Sequence, residues 1–395
     1  MYLTSCIHRE HLFDIAERWF CGKMEPGDAL RLTQILICDG FVIRDTLEDL
    51  ASRLLGSICR EPFRAHRIRA KGELRDALCR SPHETSPRLE ELFRRYKANP
   101  DFYYRESPIN GVMCLDEGDR LVGLYRIKRP TRIAEKANRH IGNWIFRIVR
   151  EKAQEKAEER ARQWGVPLRD LFTPEKEMAD EFIEAEKAIA RSFSEGAIAF
   201  DKAALTINDV GGLKIIADPE NLSRLEAEIS ADPSIKPAKK ELHTGNYNAT
   251  SLVLNVPWNR ERVCRKFLEG RNWEKYSNRG VPEEDLRRGL EPVLEGSEPT
   301  LCIELILSTF PNLVESELGS SIHEERIVAQ RDDRTYKGYI PMNVEFLVDY
   351  LLAVGLSPQV EIDHLPIKLW GRYLPDTLLS YIRQLYHLPD YDLIY

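Results

Sequence analysis

Apolar residues recur along this chain with several different spacings. In ALRLTQILICDGFVIRDTLEDLASRLLGSI (29–58) they return every three or four positions, which predicts helix broken near Asp39-Gly40. The segment from there to residue 100 repeats Leu among Arg and Glu, so residues 1–100 are expected to be mostly helical. VMCLDEGDRLVGLYRI (112–127) reads as a short hairpin turning at Asp116-Glu117-Gly118. From 147 to about 195 the chain predicts charge-laced helix, split around Gly165 and Pro167. Strand-like runs follow at 210–217, 250–256 and 301–308. The last two flank a charged insertion (257–299), expected to be loop-rich, that carries Trp258, Trp273 and Tyr276. Two further helices are expected at 343–355 and 376–388.

Composition narrows the class. With 395 residues, 43% hydrophobic and 31% charged, the chain has the make-up of two or three globular domains, or of one core with large insertions. A net charge of −7 argues against a protein that coats nucleic acid. The stretch 126–162 is an exception, with twelve Lys and Arg against five Glu. It offers either an attraction for RNA phosphates or a solvated helix laced with opposite charges. Eight Cys without a CxxC pair read as reduced thiols. No apolar run reaches membrane-span length, and MYLTSCIHREHLFD places charges where a signal peptide needs an apolar core. A soluble cytoplasmic protein with no membrane partner is the expectation. Cys6, His8 and His11 supply three zinc-type ligands without a fourth, so a structural zinc site is set aside.

The candidate chemistry sits in four separated fragments. CIELILS alternates like a half-buried strand, with Ile303, Leu305 and Leu307 on one face and Cys302, Glu304, Ile306 and Ser308 on the other. A carboxylate in mid-strand is costly to bury unless it is paired or bound to a cation. Asp209 opens another strand-like run, and if the two strands are neighbours, Asp209 and Glu304 can hold Mg²⁺ together with substrate phosphates. The plain alternative is a pair of solvated acids on strand edges. Arg126, Lys128, Arg129, Arg132 and Lys136 form a dense cationic cluster suited to clamping a triphosphate, or to serving as a solvated basic face. Tyr247 lies on a turn, where its ring can stack on a base or cap a core edge. Thr309, Pro311, Asn312 and Glu315 mark a helix start. His323 near that helix's end either meets phosphate or satisfies helix-terminal carbonyls.

In order and content these fragments resemble the synthetase domain of the RelA/SpoT family of alarmone synthetases. Arg126, Lys128, Pro130, Ile133 and Lys136 fit the family's Arg-x-Lys-x-Pro-x-Ser-Ile-x-x-Lys, with Arg132 in place of Ser. Asp209 and Gly212 fit its Asp-x-x-Gly-x-Arg strand, with Lys214 in place of Arg. Tyr247 matches the Asn-Gly-Tyr-x-Ser-x-His stretch, where Asn246, Ala249 and Ser251 replace Gly, Ser and His. Glu304 and Thr309 match Glu-x-Gln-x-Arg-Thr, with Ile306 and Ser308 replacing Gln and Arg. Glu317-Leu318-Gly319 and His323 follow at family spacing. No His-Asp dipeptide occurs, so the hydrolase domain of long family members is expected to be absent.

The resemblance implies an α+β fold, a nucleotidyltransferase-like mixed sheet flanked by helices. Together with the apolar spacing, the expected organisation is a helical N-terminal region (1–105), a catalytic core (106–326) with a helical insertion (137–205) and the loop-rich insertion (257–299), and a helical C-terminal region (327–395). The resemblance further implies an ATP-dependent, Mg²⁺-requiring pyrophosphokinase. Arg126, Lys128, Lys136 and Lys214 would bind ATP phosphates, while Asp209 and Glu304 would serve as metal ligands and catalytic groups. Tyr247 and His323 would receive the acceptor, a guanine or adenine nucleotide or the 3′ end of tRNA. Some short relatives are toxins restrained by an antitoxin or a regulatory protein. The alternative implied by the replaced residues is a degenerate nucleotide-binding or interaction module of the same fold, and a nucleotide-adding polymerase-like enzyme ranks last.

Overall fold

The computed structural model describes residues 1–59, 62–171, 175–195, 199–245, 247–319, 339–355, 365 and 367. The chain opens on β1 (Tyr2–Leu3), α1 (Arg9–Phe20) and the long α2 (Asp28–Ile58). β2 (Arg64–Ala70), α3 (Lys71–Arg80) and α4 (Pro87–Ala98) lead to the hairpin β3 (Pro108–Leu115) and β4 (Leu121–Ile127). The helices α5 (Pro130–Trp164) and α6 (Glu175–Ser194) come next, then β5 (Thr206–Ile207), β6 (Gly211–Ile216), α7 (Pro219–Ala231), β7 (Lys236–His243) and β8 (Ala249–Pro257). α8 (Arg260–Glu269) and α9 (Glu283–Arg288) precede β9 (Thr300–Ser308), α10 (Phe310–Leu318) and α11 (Tyr339–Val354).

Seven strands form one sheet in the order β2-β3-β4-β6-β9-β8-β7, while β1 and β5 make a separate parallel pair. Only β6 and β9 run parallel within the large sheet, which is therefore mixed. With helices on both faces, the fold is α+β, as expected. Alternation sorts the strand residues cleanly. Tyr125, Leu213, Ile215, Leu252, Leu254, Ile303, Leu305 and Leu307 are buried in the main core. A Cβ added at Gly211 or Gly123 on that face would press on Ile43 or Leu55, which shows how closely α2 approaches the strands. On the opposite face Ile68, Met113, Leu124 and Ile216 join a second core with residues of α3, α4 and α10. That cover stops short of β9 and β8, where Glu304, Ile306 and Val253 stay half-exposed.

Local signals fix the helix entering the uncovered region. Pro130 opens α5, where a missing N–H costs nothing, and Gly165 closes it in the left-handed conformation at φ 67°. The strand-to-helix passage expected at 126–136 is therefore present. Gly165 also separates α5 from the helix that follows, as its position suggested.

Four elements differ from expectation. α2 runs unbroken through Asp39-Gly40, where a break was expected, because one Gly costs a helix only about 1 kcal/mol and the buried residues on either side outweigh that. β2 interrupts the region read as helical; its RAHRIRA buries only Ile68 and so shows little apolar alternation. β7 gave no signal because all eight of its residues are exposed at a sheet edge, where Lys and Pro discourage pairing with another strand. The insertion at 257–299 holds α8 and α9, with Val263, Phe267 and Leu286 buried, rather than being mainly loop. α11 covers most of the first C-terminal helix expected, whereas 376–388 lies outside the described residues. Among those described, no helix is long and apolar enough to cross a membrane.

Candidate functional site

Sheet register places the first three groups. Pairing of β4 with β6 sets Arg126 opposite Gly212, and pairing of β6 with β9 sets Gly212 opposite Glu304. The three residues form one row on the half-exposed face, with no side chain between the guanidinium stem and the carboxylate. A Cβ at 212 would meet Glu304 Oε2 at 3.8 Å, an ordinary contact. Arg126 is half-buried and has no ion-pair partner among the described residues. Lys214, the next β6 residue on that face, sits between Leu124 and Ile306. Burial pulls its ammonium down to about 8, with Lys71 and Arg126 adding to the effect and Glu317 opposing it.

Beyond β4 the chain crosses to α5 and brings two lysines onto one carboxylate. Lys128 donates its backbone N–H to Val210 O at 2.8 Å, which ties it beside the β6 entry. Its Nζ lies 2.6 Å from Asp209 Oδ2 and 4.0 Å from Glu304 Oε2. Lys136, from the second turn of α5, pairs with the same Oδ2. Asp209 Oδ1 is buried and has no hydrogen-bond partner among the described residues. Burial favours the neutral acid, but the charges of Lys128 and Lys136 outweigh it and hold Asp209 well below the usual carboxylate range. Lys128 itself falls to about 8 because burial and nearby Lys136 together outweigh the attraction of Asp209. Ser251 Oγ donates to Glu304 Oε1 at 3.5 Å, a weak contact from neighbouring β8.

The donor set fits a hard divalent cation. Asp209 is ionised, its Oδ1 is an orphaned buried acceptor, and the Lys128 ammonium bridges it toward Glu304. An oxygen-preferring ion that also takes phosphate ligands suits such a pair. Asp209 and Glu304 would hold it.

The other candidates divide. Arg132 pairs with Glu135 of its own helix. Tyr247 is half-exposed in the β7–β8 turn, with its ring 6.3 Å from that of His243. The turn is anchored from α10, because Asn248 N–H donates to Asn312 Oδ1 at 2.8 Å. His323 lies outside the described residues.

Sequence reading missed two arrangements. Glu317 is buried and accepts from Lys71 Nζ at 3.0 and 3.1 Å and from Arg75 Nη2 at 3.3 Å. Its cationic partners lie in α3, outside every fragment singled out, and nothing in the RAKGELRDALCR run marks them as internal. His243 went unnoticed with the rest of β7. At the N-terminus His8 meets Asp39 Oδ1 through Nδ1 at 2.5 Å and Val293 O through Nε2 at 2.8 Å. Both imidazole nitrogens are committed, so the buried His8–Cys38–Asp39 group ties the N-terminus to α2 rather than presenting a free ligand.

No protein-family model and no curated protein matches the chain. Solved structures of small alarmone synthetase 1 from Bacillus subtilis are loosely similar. One shares 12% identity over 68% of this chain and 87% of that chain, with a TM-score of 0.23. Another, bound to its product pppGpp, shares 11% identity over the same fractions, with a TM-score of 0.19. Similarity this loose fixes neither fold nor activity.

Proposed function

We propose that the chain transfers the β,γ-pyrophosphate of ATP to a ribose hydroxyl of a nucleotide or of an RNA 3′ end, releasing AMP. The observation that carries this reading is the pairing of Lys128 and Lys136 on Asp209 beside Glu304, with Oδ1 of Asp209 left unpartnered. A site of this make-up holds phosphates by cations and a metal by carboxylates within one groove.

Arg126, Lys128, Lys136 and Lys214 would bind the triphosphate, the lysines leaving Asp209 as phosphate oxygens take their charge. Mg²⁺ held by Asp209 and Glu304 would supply Lewis-acid neutralisation of the phosphoryl oxygens. Gly212 keeps the floor between Arg126 and Glu304 bare, so the chain of phosphates can lie close to the sheet. Glu304 accepts the proton of the acceptor hydroxyl, whose oxygen bonds to the β-phosphorus. The bond from that phosphorus to the α,β-bridging oxygen breaks, and AMP leaves with the electron pair. Catalysis here is positioning and charge neutralisation. Tyr247 would stack on the acceptor base.

The test is transfer of label from γ-³²P-ATP with Mg²⁺ to guanine nucleotides, adenine nucleotides or bulk tRNA, read by chromatography. Label should move to one acceptor class and should fail to move with Asp209→Asn or Glu304→Gln. Folded wild-type protein that labels no acceptor would sink the reading.

A further inference from the structure

We propose that His243 is the second jaw of a base clamp, closing with Tyr247 on the nucleobase of the acceptor; this rests on the pyrophosphate-transfer reading above. His243 ends β7 opposite Ala249 of β8, and Tyr247 stands in the turn between them. Their rings are tilted by only 23° with centroids 6.3 Å apart. A ring sandwiched between two others needs about 7–8 Å, twice the contact distance between carbon atoms. The bracket therefore has to open by about 1 Å to take a base.

The two jaws have separate supports, so opening is feasible. His243 is held by the β7–β8 ladder. Tyr247 precedes Asn248, whose N–H is fixed to Asn312 of α10, and Asn312 Nδ2 in turn donates to Thr309 Oγ1 at 2.8 Å. Between the jaws lies Gly245 at φ 128°, a conformation that other residues rarely adopt. His243 is exposed and Tyr247 half-exposed, at the edge of the sheet.

Strand register places the clamp on the same side of the sheet as the carboxylates. Glu241, two residues before His243 and on the same strand face, pairs with Ser251 of β8, and Ser251 Oγ lies 3.5 Å from Glu304 Oε1. A base between the two rings would thus leave its sugar and phosphates near the cationic cluster.

A clamp of two rings selects a chemical class. It takes a base with both faces free, as in a mononucleotide or an unpaired nucleotide at the end of a strand. A base stacked inside a duplex and an acceptor without a base are excluded. Because every base offers a π-face, the clamp ranks bases only modestly.

The experiment is calorimetric titration of the full chain, without ATP, with GDP, ADP, CDP and UDP in turn. Wild type, His243→Ala, His243→Phe and Tyr247→Ala are compared, with ATP binding and label transfer measured on the same preparations. At least one diphosphate should bind wild type. His243→Ala should weaken that binding about 5- to 100-fold, the loss typical of one base–ring stack. His243→Phe should stay within about threefold of wild type, and ATP affinity should hold in every variant. The clamp is overturned if His243→Ala binds as wild type does, if His243→Phe is as weak as His243→Ala, or if none of the diphosphates binds wild type. Unchanged affinity with continued label transfer removes the clamp alone, whereas absent label transfer removes the reading beneath it.

Discussion

Lys128 Nζ lies 2.6 Å from Asp209 Oδ2, and Lys136 pairs with that same oxygen. Two cations therefore neutralise the carboxylate that would hold the metal. Arrival of phosphates would draw the lysines away and free Asp209, so metal and nucleotide should bind with mutual help. Lys136→Met is expected to tighten Mn²⁺ binding in the absence of nucleotide by roughly tenfold, about 1.4 kcal/mol, while weakening ATP. Electron paramagnetic resonance of free Mn²⁺ measures the first effect and calorimetry the second. Unchanged Mn²⁺ affinity would show that Lys136 does not compete with the metal.

Gly212 separates Arg126 from Glu304 in the row across three strands. Gly212→Ala adds a methyl group at ordinary contact distance from Glu304, so the stability change should stay within about 1 kcal/mol. The same methyl occupies the floor on which phosphates would lie, and ATP affinity should fall about tenfold. Thermal melts and calorimetry read the two quantities; equal ATP affinity in the variant would place the phosphates elsewhere.

Much of this groove was legible in the sequence, because its residues sit where strands begin or alternate. Ile303, Leu305 and Leu307 declared the buried face of β9, and that periodicity put Glu304 on the other face. The dense cations at 126–136 were visible as composition, and Pro130 marked where the strand gives way to helix. Sequence could not show that β6 and β9 are neighbours, the fact that brings Asp209 toward Glu304, because strand order is decided by packing across the whole sheet. It missed β2 and β7 for a related reason. Both are edge strands, one burying a single residue and the other none, so neither carries an apolar period. The Lys71–Arg75–Glu317 cluster escaped because buried charges look like surface charges until their partners are placed.

That cluster makes a stability prediction. Glu317 is almost fully buried between Lys71 and Arg75. Glu317→Ala removes one buried counter-charge from beside two buried cations and should cost about 3–5 kcal/mol. Urea denaturation reads the loss, and a change below about 1 kcal/mol would show that the cations find other partners or water.

A different acid should make stability depend on pH. Burial on α11, helped by nearby Glu345, raises Asp349 from 3.8 to about 6. Its raised value means that the folded chain binds this proton more tightly than the unfolded chain. The folded state is thus favoured at low pH and loses that advantage as pH climbs from about 4 to about 6, then pays a constant cost above. Allowing for partial solvent screening, the cost is about 1 kcal/mol. Asp349→Asn should raise the melting temperature at pH 7.5 and leave it nearly unchanged at pH 4. An equal gain at both values would mean that ionisation is not the cause.

The most direct test of pyrophosphate transfer is the fate of the adenosine moiety. Wild-type protein, Mg²⁺ and an acceptor that takes label are incubated with α-³²P-ATP and, in parallel, with γ-³²P-ATP, and the products are separated by chromatography. The account predicts one AMP for each labelled acceptor, and neither product with Asp209→Asn. Release of ADP would indicate transfer of a single phosphoryl group, and incorporation of the α-label into the acceptor would indicate nucleotide addition; either would contradict it.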